Sequence, residues 1–531
     1  MDPAIKHIIE TWQQLASCIE QHPDKLFNMQ SDYWQDYLAL CQETGNTPWQ
    51  QQVAFHFIKK SYSLLSQHLQ QWTENITTDE NSKIAKKLTF YTKQLLDALS
   101  PNNFVATNPD IIAKTIEMDG GNFINGMQQF LADLEQGKGL LTITPTDLDF
   151  FKPGENIACT KGHVIYQNDL MQLIHYQPTT EKTYTYPLLI IPPWINKYYI
   201  LDLQSENSLV KWLVDQGWNV FMISWVNAKE AHRKKNFSHY LQEGPLAALK
   251  IIKKIKKIDH INVLGYCIGG TLLGCTLAYL AKKQDSCIKS ATFLTTLFDF
   301  SEPGDLGNFI DANQLAILEK HMESKGYLDG KIMSAVFNLL RANDLIWSAF
   351  VNYYLKGEKP KPFDLLYWNA DPINIPEHVH RFYLRNMYLH NYLVQSNKLK
   401  LSGTPIDLRC ITIPSYFLAA QDDHIVPWSS SYKSSHYLSG PVRFVLTTSG
   451  HVAGVVNPPY RNKYSYWTSN QSHQHPEDYL FSATLNPGSW WDDWATWLKN
   501  YSGELQSVDC DISKNIIEDA PGSYVKVRFT L

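Results

Sequence analysis

The segment Ile261-Asn262-Val263-Leu264-Gly265-Tyr266-Cys267-Ile268-Gly269-Gly270-Thr271 constrains this chain more than any other. Ile261–Leu264 is a short apolar run that reads as a strand, and from about Thr271 to Lys283 the pattern turns helical. A strand that passes into a helix through so few residues needs a sharp turn, and the residues flanking its tip must be small. Gly265 and Gly269 meet that need. Cys267 stands at the tip, ahead of a helix N-terminus whose dipole favours a thiolate. The N–H of the next residue, Ile268, then points at any oxyanion that forms there. Cys275, inside the following helix, and Cys287, in the loop after it, have no such setting and are expected to be small buried hydrophobes.

The surroundings fit a strand–turn–helix context. From about residue 149, apolar runs alternate with helical patterns: Leu188–Ile191, Val220–Trp225, Ile261–Leu264, Ala291–Leu294, Ser415–Ala419 and Val442–Leu446, with helices at Asn207–Gln216 and Pro245–Lys257. Such alternation predicts a mostly parallel sheet covered by helices. In that context G-x-C-x-G is a nucleophile elbow with Cys in place of Ser, and the expected fold is the α/β-hydrolase fold. An insert from roughly Phe300 to Pro405, with helical patterns at Asp311–Ser324 and Lys331–Leu340, is too long for a plain loop and is expected to form a cap or lid. Residues 1–148 read as a helical N-terminal domain, with helices at Val53–Trp72, Lys86–Leu99 and Gly121–Gln136, and residues 149–531 as the catalytic domain.

In this fold the nucleophile is followed by an acid and then a histidine, each after a late strand. The run Ser415–Ala419 leads into Gln421-Asp422-Asp423-His424, and Val442–Leu446 leads into Ser449-Gly450-His451. Asp423 and His451 are the candidates, with Asp422 and His424 as rivals that spacing alone does not dismiss. The second oxyanion N–H is expected after an early strand. There Pro192 and Pro193 have no N–H, which leaves Trp194 or Ile195.

The chain carries 47 basic and 52 acidic residues, a net charge of −5, which gives no electrostatic case for nucleic acid. The lysines at 253–257 fit a solvated helix face. None of the eight cysteines (18, 41, 159, 267, 275, 287, 410 and 510) forms a C-x-x-C pair, so neither a metal nor a redox cofactor is indicated. The first residues, MDPAIKHIIETW, lack the apolar core of a signal peptide, and no run approaches 18 apolar residues; a cytoplasmic protein with no transmembrane segment is expected.

Eight segments in order resemble the polyhydroxyalkanoate synthases, in particular their short-chain, single-subunit class (class I): QLLDALSPNNF, PPWINKYYILDLQSENSLVKWLVDQGWNVFMISW, INVLGYCIGGTLLG, ATFLTTLFDFSEPGDLG, PFDLLYWNAD, DDHIVPW, SGHVAGVVNPP and GSWWDDWATWL. The resemblance runs from about residue 88 to the C-terminus. It implies that Cys267 is the nucleophile, Asp423, directly before the His of DHIVPW, the acid, and His451 the base, with Ile195 and Ile268 as oxyanion donors. It further implies an (R)-3-hydroxyacyl-CoA substrate, mainly 3-hydroxybutyryl-CoA, with coenzyme A as part of substrate and product, not a cofactor. A homodimer on intracellular polymer granules is also implied. Residues Ala370–Asn374 depart from the family in having apolar residues where small hydroxyl residues are common, and the first 85 residues match only in general character. A thioesterase with the same triad is the alternative reading. Arg461 and Lys463 are conceivable phosphate contacts, though ordinary surface charge fits them better.

Overall fold

The computed structural model describes residues 23–45, 51–75, 82–139, 141–471, 473–508 and 513–528. The helical reading of residues 1–22, and Cys18 and Cys510, lie outside these. The described chain divides into two compact units, one of residues up to Thr146 together with Ala335–Lys361, the other of Asp147–Ser334 together with Pro362–Thr530. Part of the expected cap, residues 335–361, therefore groups with the N-terminal helices.

The first unit is helical: Pro23–Gly45, Gln51–Asn75, Ser82–Leu99, Pro109–Glu117 and Gly121–Gln136. Asn108 caps Pro109–Glu117 by accepting from the N–H groups of Asp110 and Ile111. Gly126 lets the helix Gly121–Gln136 approach residues 350–355 closely, since a Cβ there would collide with the carbonyl of Tyr354. The Tyr354 hydroxyl donates to Asp133 at 2.6 Å across the same contact.

The second unit is built on an eleven-stranded mixed sheet. Its strands are β1 Gly162–Gln167, β2 Met171–Tyr176, β3 Leu188–Ile191, β4 Val220–Trp225, β5 Ile261–Tyr266, β6 Ile288–Leu294, β7 Ser415–Ala420, β8 Val442–Thr447, β9 Ser465–Thr468, β10 Thr484–Pro487 and β11 Glu518–Asp519. Their order across the sheet is β10-β9-β8-β7-β6-β5-β3-β4-β2-β1-β11. The six strands expected from the sequence, β3 to β8, are the parallel core. β3, β4, β5 and β7 are buried along their whole length, as strands covered on both faces must be. The five strands not anticipated flank this core in antiparallel pairings. This is the α/β-hydrolase architecture.

The strand order reverses beside β3. β4 lies on one flank of β3 and β5 on the other, so the loops leaving β3 and β5 meet at a switch point, where open α/β sheets place their ligands. Behind the sheet, the helix Trp490–Lys499 buries Trp490, Trp491 and Trp494 completely. Each indole N–H has a partner: Gly454 O at 3.0 Å, Val455 O at 2.9 Å and Thr292 Oγ1 at 2.9 Å respectively. Among the described residues no helix is long and apolar enough to cross a membrane.

Candidate active site

The turn after β5 is as tight as its sequence requires. The helix begins at Ile268, earlier than the expected Thr271, so Cys267 is its N-cap residue, with φ 53° and ψ −123°. A positive φ is uncommon for a residue with a side chain and marks a conformation imposed by its surroundings. The Cys267 N–H donates to Leu294 O of β6 at 2.9 Å, and its carbonyl accepts from Gly270 N at 2.9 Å, which pins the turn on both sides. A Cβ on Gly265 would lie 2.5 Å from the Cα of Gly270.

Asp423 follows β7 and His451 follows β8. His451 Nδ1 and Asp423 Oδ2 are 2.6 Å apart. The other carboxylate oxygen of Asp423 accepts from the N–H groups of Ile425 at 2.9 Å and Val426 at 2.8 Å, so the carboxylate cannot rotate away. Asp422, the rival, is exposed and donates its N–H to Ser449 O. Burial by itself would push the His451 imidazole down. The Asp423 carboxylate and the Cys267 sulfur, each by charge and hydrogen bond, outweigh burial and raise it to about 10. Tyr266, next to the cysteine, stacks on His451 with ring centroids 5.6 Å apart and donates its hydroxyl to the His451 carbonyl at 3.1 Å. Trp490 and Trp491 hold Gly454 and Val455, a turn beyond His451, from behind.

Ile195 lies in the loop after β3 and Ile268 opens the elbow helix. Ile268, as the first helical residue, has an N–H beyond the reach of any intrahelical partner. Cys275 and Cys287 are buried, and burial pushes both thiols up to about 12, far from thiolate chemistry. Arg461 and Lys463 are engaged by their neighbours: the Arg461 Nε donates to the Tyr460 hydroxyl, and Lys463 sits over the Tyr464 ring. Among the described residues no group of three His, Cys, Asp or Glu side chains is arranged to hold a metal ion.

Two features escaped the sequence reading. Tyr383 is buried and Tyr388 half-buried; desolvation raises both phenols, and the charge of the nearby Cys267 raises them further, so both stay neutral beside the sulfur. Phe300 packs against both, with centroids at 5.8 and 4.9 Å. An aromatic cluster thus lies beside Cys267. Tyr388 lies in a π-helical segment, Leu384–Leu389, whose register a 3.6-residue period misplaces.

Comparison with known proteins gives the family of the chain. The family described as Poly-beta-hydroxybutyrate polymerase (PhaC) N-terminus matches residues 44–213, and the alpha/beta hydrolase fold family matches residues 186–458. The poly(3-hydroxyalkanoate) polymerase subunit PhaC of Rhizobium etli is 46% identical over 90% of this chain and 76% of its own. The chain belongs to the poly(3-hydroxyalkanoate) polymerase family. The PhaC subunit of Cupriavidus necator is 38% identical over 95% of this chain and 89% of its own, and the polymerase of Methylorubrum extorquens is 41% identical over 99% and 90%. As a member of this polymerase family the protein is an enzyme of the acyltransferase type.

Proposed function

We propose that this polymerase joins (R)-3-hydroxyacyl groups from coenzyme A thioesters, with 3-hydroxybutyryl-CoA as its main substrate, through a covalent acyl-Cys267 intermediate. The observation that carries the reading is the junction of Cys267, His451 and Asp423 at the switch point of the sheet. The Cys267 thiolate attacks the thioester carbonyl. The oxyanion is held by the N–H groups of Ile268 and Ile195, and coenzyme A leaves with the proton carried by His451. One thioester replaces another, so the acyl group keeps its reactivity. A 3-hydroxyl from a second acyl group then gives its proton to His451 and attacks the acyl-cysteine carbonyl; an ester C–O bond forms, the C–S bond breaks, and the thiolate returns.

A serine ester would be a poorer donor for the next ester bond, which is the chemical reason for a cysteine at this elbow. The aromatic cover of Phe300, Tyr383 and Tyr388 shields the acyl-enzyme from water. The short-chain preference, a homodimer and residence in the cytoplasm on polyester granules complete the proposal, on the strength of the family resemblance. The deciding experiment supplies 3-hydroxybutyryl-CoA and analyses the product. Chloroform-soluble polyester is expected; free 3-hydroxybutyrate would mark a thioesterase and overturn the reading. Faster turnover of a ten-carbon substrate than of the four-carbon one would overturn the chain-length assignment alone.

A further inference from the structure

The loop that follows β3 is clamped at both ends. At its start, the Trp225 indole N–H donates to Pro192 O at 2.9 Å. At its end, three bonds join it to residues 368–373. The Ile373 N–H donates to Ile195 O at 2.9 Å, the Asn196 amide donates to Trp368 O at 3.3 Å, and the Trp368 indole donates to Lys197 O at 2.8 Å. Beneath these lies a buried ion pair, Lys197 Nζ to Asp371 Oδ2 at 2.7 Å, with the two side chains only 3% and 4% exposed. The Tyr199 hydroxyl donates to the same carboxylate oxygen at 2.8 Å.

A buried ion pair is a costly way to hold two segments together, because both charges lose their water, and an apolar pair of similar volume often does as well. What it supplies is an all-or-none geometry, since neither charge tolerates separation from the other. The chemistry described above gives this loop one demanding task, to hold the Ile195 N–H within hydrogen-bond reach of an oxyanion that exists only in the transition state. We infer that Lys197, Asp371 and Tyr199 are positioning residues for the Ile195 oxyanion donor, acting through the strap between residues 195–197 and 368–373. The inference rests on the proposed acyl-Cys267 chemistry.

The test uses a reaction that needs the thiolate but no oxyanion donor. Alkylation of Cys267 by iodoacetamide is a displacement at a saturated carbon, whereas acylation by a thioester passes through an oxyanion. In the full chain, Lys197→Met and Asp371→Asn are expected to slow first-turnover coenzyme A release from 3-hydroxybutyryl-CoA by about thirtyfold or more, with KM and the alkylation rate within about twofold of wild type. Tyr199→Phe strands no charge and keeps the fold; it should slow acylation by roughly three- to tenfold, again with alkylation unchanged. Parallel loss of acylation and alkylation would reduce the network to a structural role and overturn the inference, as would unchanged acylation in all three variants. Continued coenzyme A release by Cys267→Ala would instead overturn the underlying chemistry, and this inference with it.

Discussion

A Cβ on Gly269 would lie 2.2 Å from the carbonyl oxygen of Ile191, the last residue of β3, and 2.7 Å from that of Pro192. The elbow helix is thus packed onto the loop that follows β3, main chain against main chain, and the glycine is what permits it. Gly269→Ala is expected to cost about 3 kcal/mol or more, because the clash is with backbone that cannot yield as a side-chain tip can. Coenzyme A release should fall with it. Gly121→Ala, where a Cβ meets only Met118 at 3.9 Å, is the control and should be near neutral. Urea unfolding followed by circular dichroism measures both; equal midpoints for the two variants would contradict the packing argument.

Cys267→Ala should abolish both coenzyme A release and polymer formation, since Cys267 is the one nucleophile proposed for both steps. Cys275→Ala and Cys287→Ala remove buried, protonated thiols and should keep activity within about twofold of wild type. Substantial synthesis by Cys267→Ala would show that the elbow does not carry the nucleophile.

The elbow was legible in sequence because its constraint is local: a strand, a turn with two glycines and a helix within a dozen residues. The candidate acid and base were legible almost as well, as strand-end residues in the expected order; spacing left Asp422 and Asp423 as rivals, the family resemblance pointed to Asp423, and the fold buries Asp423 and exposes Asp422. The flanking strands were not. β9 is half-buried along its length and β11 is two residues long, so neither presents a sustained apolar run. The pairing of Lys197 with Asp371 joins residues far apart in the chain, and neither has a neighbour pattern that announces it.

Two buried histidines predict a sensitivity to acid. Burial pushes His175 down to about 4, with only its hydrogen bond to Asn219 in opposition, and burial alone pushes His380 to about 4. Unfolded, each would titrate near 6.5, so between pH 6.5 and 4 the unfolded chain binds more protons than the folded one. The stability contributed by each neutral imidazole is complete above pH 6.5 and is lost as pH falls toward 4, by up to roughly 3 kcal/mol per group. His451 runs the other way: its raised value contributes stability below pH 6.5 that is lost as pH climbs toward 10. His380→Gln should therefore flatten the fall in thermal midpoint between pH 7.5 and pH 5, whatever it does to stability at pH 7.5. An unaltered slope would show that His380 is not held neutral.

The bond between His451 and Asp423 leaves open which step depends on the carboxylate most. In an ordinary triad the acid orients the imidazole and stabilises its charged form, so its loss slows acylation itself. Here the proposed nucleophile, Cys267, is a thiol, by nature a far stronger acid than a serine hydroxyl, and needs less assistance. Elongation sets a harder problem, because a 3-hydroxyl is a far weaker acid than a thiol and must surrender its proton as it attacks. The imidazole raised by Asp423 is the stronger base that this step requires. Asp423→Asn also changes the geometry least, since its amide oxygen can still accept from the N–H groups of Ile425 and Val426. The variant is expected to form acyl-Cys267 at a rate within about tenfold of wild type but to add later units about a hundredfold more slowly, in the range that general base catalysis contributes. Rapid-quench mass spectrometry with 3-hydroxybutyryl-CoA reads the first acyl unit and the later ones separately. Equal slowing of first and later additions would remove the special role in elongation and leave Asp423 as the orienting acid of the triad.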